Sequence, residues 1–202
     1  MESIQGKQSL QIGPEEFVGR IANYPKLLVD IGTGDGRYVR NFAETHPDYF
    51  AIGIDTCREN LTVNSGYEKP NTMYLICPAS KLSSELYGRA NLITINFPWG
   101  SLLHELLRED PSLLSGLSAI TREGARLEIR INAEALQEAG WSIEGGNEQI
   151  RAALTHCGYR ICSSVFLGPH ELRALESTWA KRLAFGRDPR TEYIVAEPRG
   201  KF

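Results

Sequence analysis

Short apolar runs alternate along the chain with segments whose apolar residues recur every three or four positions. The first pattern predicts strands and the second helices. Strands are expected at 26–31, 50–54, 72–76, 91–97, 125–131, 159–167 and 191–196. Helices are expected at 37–46, where Pro47 stops the run, and at 57–65, 101–108, 113–120 and 147–157. Leu102, Leu103, Leu106 and Leu107 share one face of the third helix. The last of the five has Asn147 as its N-cap and Gly158 as its stop. One long helical excursion, 169–190, joins the final two strands, with Leu172, Leu175, Trp179 and Leu183 on one face.

Strands alternating with helices imply an α/β domain whose mainly parallel sheet is covered on both faces. There are no repeats and no linker, so residues 1–202 read as one domain. Hydrophobic residues make up 42% of the chain and charged residues 23%, enough for an ordinary core. The net charge of -3 excludes attraction of nucleic acid by the whole surface. Any such binding must be local. The one cluster is Lys181, Arg182, Arg187 and Arg190, with Asp188 among them.

Cys57, Cys77, Cys157 and Cys162 form no CxxC pair and no zinc spacing with the histidines, so free thiols and no metal are expected. The His156-Cys157 pair reads as a helix end near the core. No apolar run reaches the length of a membrane span, and residues 1–13 are polar, so the expected location is the cytoplasm.

Asp30-Ile-Gly32-Thr-Gly34-Asp35-Gly36 follows the first apolar strand and opens a helix. The glycines allow a tight turn and close approach of a ligand. The spacing is GxGxG rather than the GxGxxG of dinucleotide enzymes. Two carboxylates beside a pyrophosphate are electrostatically poor; they suit the amine and sulfonium of S-adenosylmethionine. Asp55 ends the second strand, where a carboxylate accepts ribose hydroxyls. Ala79 and Ser80 follow the third strand, where the adenine of that cofactor is expected. The alternatives are a glycine turn in an unrelated α/β domain and a nicotinamide site. The closing pair of strands fits a class I, Rossmann-like methyltransferase fold with a seven-stranded sheet.

Asn96-Phe97-Pro98-Trp99-Gly100 follows the fourth strand, at the carboxyl end where ligands of open α/β sheets bind. Asn96, Pro98 and Ser101 are therefore expected at the donor. Amino methyltransferases of this fold carry (D/N/S)PP(Y/F/W) here, and Phe97 replaces the first proline. Methylation of an exocyclic amine does not follow automatically. Trp99 and Trp179 each suit a core position when read alone. Their joint context, one after this strand and one beside the basic cluster, suits a pair that sandwiches an extruded base.

On Asp30 to Arg37, Gly53-Ile-Asp55 with Glu59-Asn-Leu61, Phe97-Pro-Trp-Gly-Ser-Leu-Leu103 and Trp179-Ala-Lys-Arg-Leu-Ala-Phe-Gly-Arg187, the chain resembles the 16S rRNA (adenine-1408-N1)-methyltransferases of kanamycin–apramycin type aminoglycoside resistance. The last two segments carry most of the specificity. The resemblance implies that Trp99 and Trp179 stack on the flipped adenine and that Ser177 shapes the target pocket. It implies that Arg182 and Arg187 contact rRNA, with Lys181, Arg190 and Lys69 as further RNA-binding positions. It also implies an N-terminal hairpin over about the first 14 residues, and a monomer acting on 16S rRNA in the 30S subunit. Ser80 departs from the family, whose members tend to carry Glu there, and the linker 66–70 carries only Lys69. A methyltransferase of tRNA or a small molecule, and a non-catalytic RNA-binding module, are the rival expectations.

Overall fold

The computed structural model describes residues 1–67 and 69–200. A hairpin of β1 (Glu2–Gln5) and β2 (Gln8–Gln11) leads to α1 (Pro14–Ala22). The alternating core follows as β3 (Lys26–Ile31), α2 (Arg37–Thr45), β4 (Tyr49–Asp55), α3 (Arg58–Ser65), β5 (Thr72–Ile76) and β6 (Ala90–Asn96). Next come α4 (Gly100–Leu107), α5 (Pro111–Ile120), β7 (Thr121–Asn132), α6 (Ala133–Glu138) and α7 (Ile143–His156). The chain closes with β8 (Tyr159–Leu167), α8 (Pro169–Ala174), α9 (Thr178–Gly186) and β9 (Thr191–Pro198).

The strand order is β2-β1-β5-β4-β3-β6-β7-β9-β8. Strands β3 to β7 pair in parallel, and β9 runs antiparallel between β7 and β8. The expected seven strands are all present. The sheet has nine because the N-terminal hairpin adds two antiparallel strands to the β5 edge. Its strands are too short and too polar to announce themselves in the sequence.

Successive side chains of a strand point to opposite faces. Val29, Ile31, Ile52, Ile54, Ile93, Ile95, Leu127 and Ile129 thus meet the apolar faces of α1, α4, α5 and α7 in the main core. On the other face Leu28 and Ala51 meet Val39, Leu61 and Tyr74. Asp30, Thr94, Asn96, Glu128 and Arg130 belong to the same face as Leu28 by alternation, and they hydrogen-bond to one another. Among the described residues no helix is long and apolar enough to cross a membrane.

Three expectations need correction. Helix α7 begins at Ile143, and its cap is Ser142, whose hydroxyl accepts the Gly145 N–H at 3.0 Å. Asn147 is a buried interior residue of α7. Gly145 and Gly146 look like helix breakers, but a Cβ on Gly146 would lie 2.5 Å from Leu136 Cδ2, so this glycine lets α7 approach α6. The 169–190 excursion is two helices, broken between Leu175 and Ser177, and Ser177 caps α9 by accepting the Ala180 N–H at 3.1 Å. Of the 66–70 linker, Glu68 lies outside the described residues.

Candidate active site

The carboxyl ends of β3, β4, β5 and β6 open into a cavity of about 660 Å³. The glycine loop after β3 forms one wall. Gly32 and Gly34 have φ of 72° and 59°, a region that side chains with a Cβ seldom adopt. The N–H groups of Gly32 and Thr33 are used by Ile54 O at 2.8 and 3.0 Å, which fixes the loop to β4. Asp55 holds the same junction, taking the Gly34 N–H on Oδ2 and the Cys57 N–H on Oδ1, both at 2.8 Å.

Asp30 lies at the floor and is 1% exposed. Its Oδ1 accepts from Thr94 Oγ1 at 2.6 Å and Asn96 Nδ2 at 2.9 Å. Asn96 Oδ1 in turn accepts from Arg130 at 2.9 Å, and Arg130 donates to Glu128 at 2.9 Å. Asp30 Oδ2 has no hydrogen-bond partner among the described residues. Burial pushes the Asp30 carboxyl up to about 6, against the pull of Thr33, Thr94, Asn96 and the Arg130 charge. An unpaired buried carboxylate oxygen is costly, and a cationic ligand removes that cost.

Asp30, Asp35, Asp55 and Glu105 all line the cavity, and Arg182 is the one lysine or arginine among its lining residues. This balance disfavours a pyrophosphate and fits an amine and a sulfonium. The residues present therefore suit S-adenosylmethionine. Asp30 and Asn96 would hold its charged end and Asp55 its ribose, with Gly32, Gly34, Ala79, Pro98 and Ser101 on the surrounding wall. Ser80 is not among the lining residues; it sits in the short 3-10 turn Ala79–Lys81, and Ala79 takes the wall position.

These charges set a pH dependence. Asp30 holds its proton more tightly folded than unfolded, so its contribution to ligand-free stability is full below the ordinary carboxylate value of 3.8 and lost as pH rises through about 6. A cationic ligand favours the ionised form. Donor affinity is therefore expected to fall below pH 6, by up to about tenfold per unit. Calorimetry with S-adenosylmethionine across this range checks it: Asp30→Asn should flatten the profile, and an unchanged slope in that variant would assign the titration elsewhere.

At the mouth, Trp99 and Trp179 stack on each other with ring centroids 5.6 Å apart and planes 13° from parallel. Both are half-buried. Trp99 rests against the main core, and Trp179 against a small cluster of Phe97, Leu172, Ala180 and Leu183. So the helical-face pattern around Trp179 does mark a core, and Trp179 sits at its rim. Phe97 anchors this cluster from the end of β6. Its φ of 55° lies far from the value of about -65° that proline requires, so the two-proline form of the motif cannot be built on this backbone.

The expected basic patch is largely neutralised. Lys181 pairs with Glu176 at 3.0 Å, Arg187 with Glu134 at 3.6 Å, Arg190 with Asp188 at 2.6 Å, and Lys69 with Glu44 at 2.9 Å. Arg182 pairs with no carboxylate among the described residues; its guanidinium lies 5.2 Å from the Trp179 ring, as does that of Arg187. Exposed ion pairs are worth about 0–1 kcal/mol, so a phosphate displaces them easily. Ser177 lines the cavity while its oxygen caps α9.

Sequence reasoning missed Tyr38, Glu105 and Thr178, which also line the cavity, and Arg130, which stands behind it. The alternation Leu127-Glu128-Ile129-Arg130-Ile131 was the available signal for Arg130, since it sets two charges on one face of a buried strand. The described residues contain no cluster able to hold a metal, and His156 instead bonds Glu109 at 2.9 Å.

Residues 2–197 match the family NpmA, described as 16S rRNA (adenine(1408)-N(1))-methyltransferase. A protein of that description from Escherichia coli is 31% identical over 202 residues, covering 91% of this chain and 92% of its own. The solved structure of the aminoglycoside resistance methyltransferase NpmB1 is 28% identical, with a TM-score of 0.79 over 98% of both chains. That of the 16S rRNA methyltransferase KamB, at 24% identity and a TM-score of 0.87 over 100% of both chains, shares the fold.

Proposed function

The chain belongs to the 16S rRNA (adenine(1408)-N(1))-methyltransferase family, and from that premise we propose how its own residues carry the reaction. It is an S-adenosylmethionine-dependent enzyme that methylates N1 of adenine-1408 in 16S rRNA, the modification of the aminoglycoside-resistance type. The stacked tryptophans at the mouth of an acidic cavity carry the assignment of roles.

S-adenosylmethionine supplies an electrophilic methyl group. Adenine N1 has a free lone pair at neutral pH, so no side chain has to remove a proton before attack. The task of the protein is positioning. Trp99 and Trp179 receive the extruded adenine between their faces. The rings stand closer than the roughly 6.8 Å that a base stacked at about 3.4 Å on each side requires, so the pair parts as the base enters. Parting two rings costs about 0.5–1.5 kcal/mol, and each new base stack returns about 1–3 kcal/mol. Attack moves positive charge onto the adenine, and the electron-rich indole faces favour that charge. Phe97 fixes the spacing by packing the end of β6 against α9. The Ser177 hydroxyl proton, which the cap does not use, is available to the base.

Arg182 is placed to meet the RNA backbone beside the target, and Lys181, Arg187, Arg190 and Lys69 join it by exchanging carboxylates for phosphates. We place the reaction in the cytoplasm, on the assembled 30S subunit, by a monomer. Methyl transfer from labelled donor to 30S subunits, naked 16S rRNA and tRNA tests this. Labelled 16S rRNA from 30S subunits is expected; label confined to tRNA would overturn the substrate.

A further inference from the structure

The residue before Trp179 links the target side of the site to the donor side. Thr178 Oγ1 donates to Asp35 Oδ2 at 2.6 Å, across 143 residues of sequence. Asp35 is part of the glycine loop, and both residues line the cavity. Its carboxylate is held on the other side too, because Oδ1 accepts the Arg37 N–H at 3.1 Å, and its carbonyl accepts from Asn64 Nδ2 at 2.7 Å. One carboxylate thus sits at the N-termini of both α2 and α9, where negative charge is favourable. A second tie runs alongside: Asn41 Nδ2, on α2, donates to Glu176 O at 3.2 Å. Residues 176–178 are therefore fastened to the donor loop and its helix just before Trp179 begins its turn of α9.

We propose that Thr178 is a positioning residue that sets Trp179 from the glycine loop through Asp35, so that a filled donor cavity holds the tryptophan clamp in register for the target base. The inference rests on the methyl-transfer reading above. Trp179 packs on the small Phe97 cluster and stacks on Trp99, and the Thr178–Asp35 bond ties the start of its helix to the donor loop. Misplacing a reacting pair by about 1 Å costs up to about a hundredfold in rate. Coupling of this kind is reciprocal: whatever donor binding does for base capture, base capture does for donor affinity.

The test uses the full-length chain as wild type, Thr178→Val, which keeps the shape and removes the hydroxyl, and Thr178→Ser, which restores it. Three quantities are read: S-adenosylhomocysteine affinity by calorimetry, the change in tryptophan fluorescence on saturating with it, and kcat/KM on 30S subunits. For Thr178→Val the expected result is affinity within about twofold of wild type, loss of the fluorescence response, and kcat/KM lower by about tenfold or more. Thr178→Ser should recover both. Wild-type fluorescence response and kcat/KM in Thr178→Val would overturn the proposal. So would a serine variant as defective as valine, or a rate loss matched by an equal loss of affinity. If wild type labels no 30S subunit, the substrate reading fails, and the fluorescence response still decides the role of Thr178.

Discussion

Replacing Trp179 with alanine lowers methylation of 30S subunits by about 10- to 100-fold and leaves S-adenosylmethionine affinity within about twofold. The size follows from losing one base stack of about 1–3 kcal/mol, at about 1.4 kcal/mol per tenfold. The selectivity follows from position. Trp179 belongs to the cavity mouth and packs on Phe97, Ala180 and Leu183, whereas Asp30 and Asp55, the residues we propose for the donor, stand on β3 and β4. Calorimetry and single-turnover methylation on the same preparation separate the two effects. Equal losses in both, or no loss in either, would remove the sandwich from the mechanism. Trp179→Phe should recover much of the rate, because a smaller ring still offers a face to stack on.

The second large effect is on folding. Gly36→Ala is expected to destabilise the protein by about 2–5 kcal/mol. Gly36 has φ of 74°, which costs a residue with a Cβ about 1–2 kcal/mol. The added Cβ would also stand 2.4 Å from Tyr74 Cε1, and overpacking of this kind costs about 1–3 kcal/mol. The ring has little room to yield. It is buried among Leu28, Val39 and Leu61, and its hydroxyl donates to Gly36 O at 3.2 Å. Gly34→Ala supplies the control, since φ is 59° there but nothing lies within 4 Å of the new Cβ. Thermal melts without ligand should show Gly36→Ala lowered by roughly 5–15 °C and Gly34→Ala by clearly less. Equal shifts would mean that backbone conformation, not contact with Tyr74, governs this turn.

The central strands were legible because they are buried on both faces and read as unbroken apolar runs; β3 and β5 have the expected limits. The donor loop was legible for a similar reason, since glycines at fixed spacing and an acid at the end of β4 are local signals. What stayed hidden depends on partners distant in sequence. Gly146 breaks a helix in isolation but is accommodated because Leu136 lies against it. Three of the four clustered cations looked available until Glu176, Glu134 and Asp188 were brought to them. Helix α1 was passed over in a polar stretch, although Phe17 and Ile21 are its buried face. The Thr178–Asp35 bond has no sequence signal at all.

The reaction is defined by one base atom, N1 of adenine-1408. Wild-type 30S subunits are incubated with the enzyme and S-adenosylmethionine, and the extracted 16S rRNA is copied by reverse transcriptase across the decoding-site helix. A methyl group on N1 blocks Watson–Crick pairing, so the predicted result is a stop immediately 3′ to adenine-1408 that requires both enzyme and donor. Read-through at adenine-1408, with the stop at another nucleotide or nowhere in 16S rRNA, would contradict it.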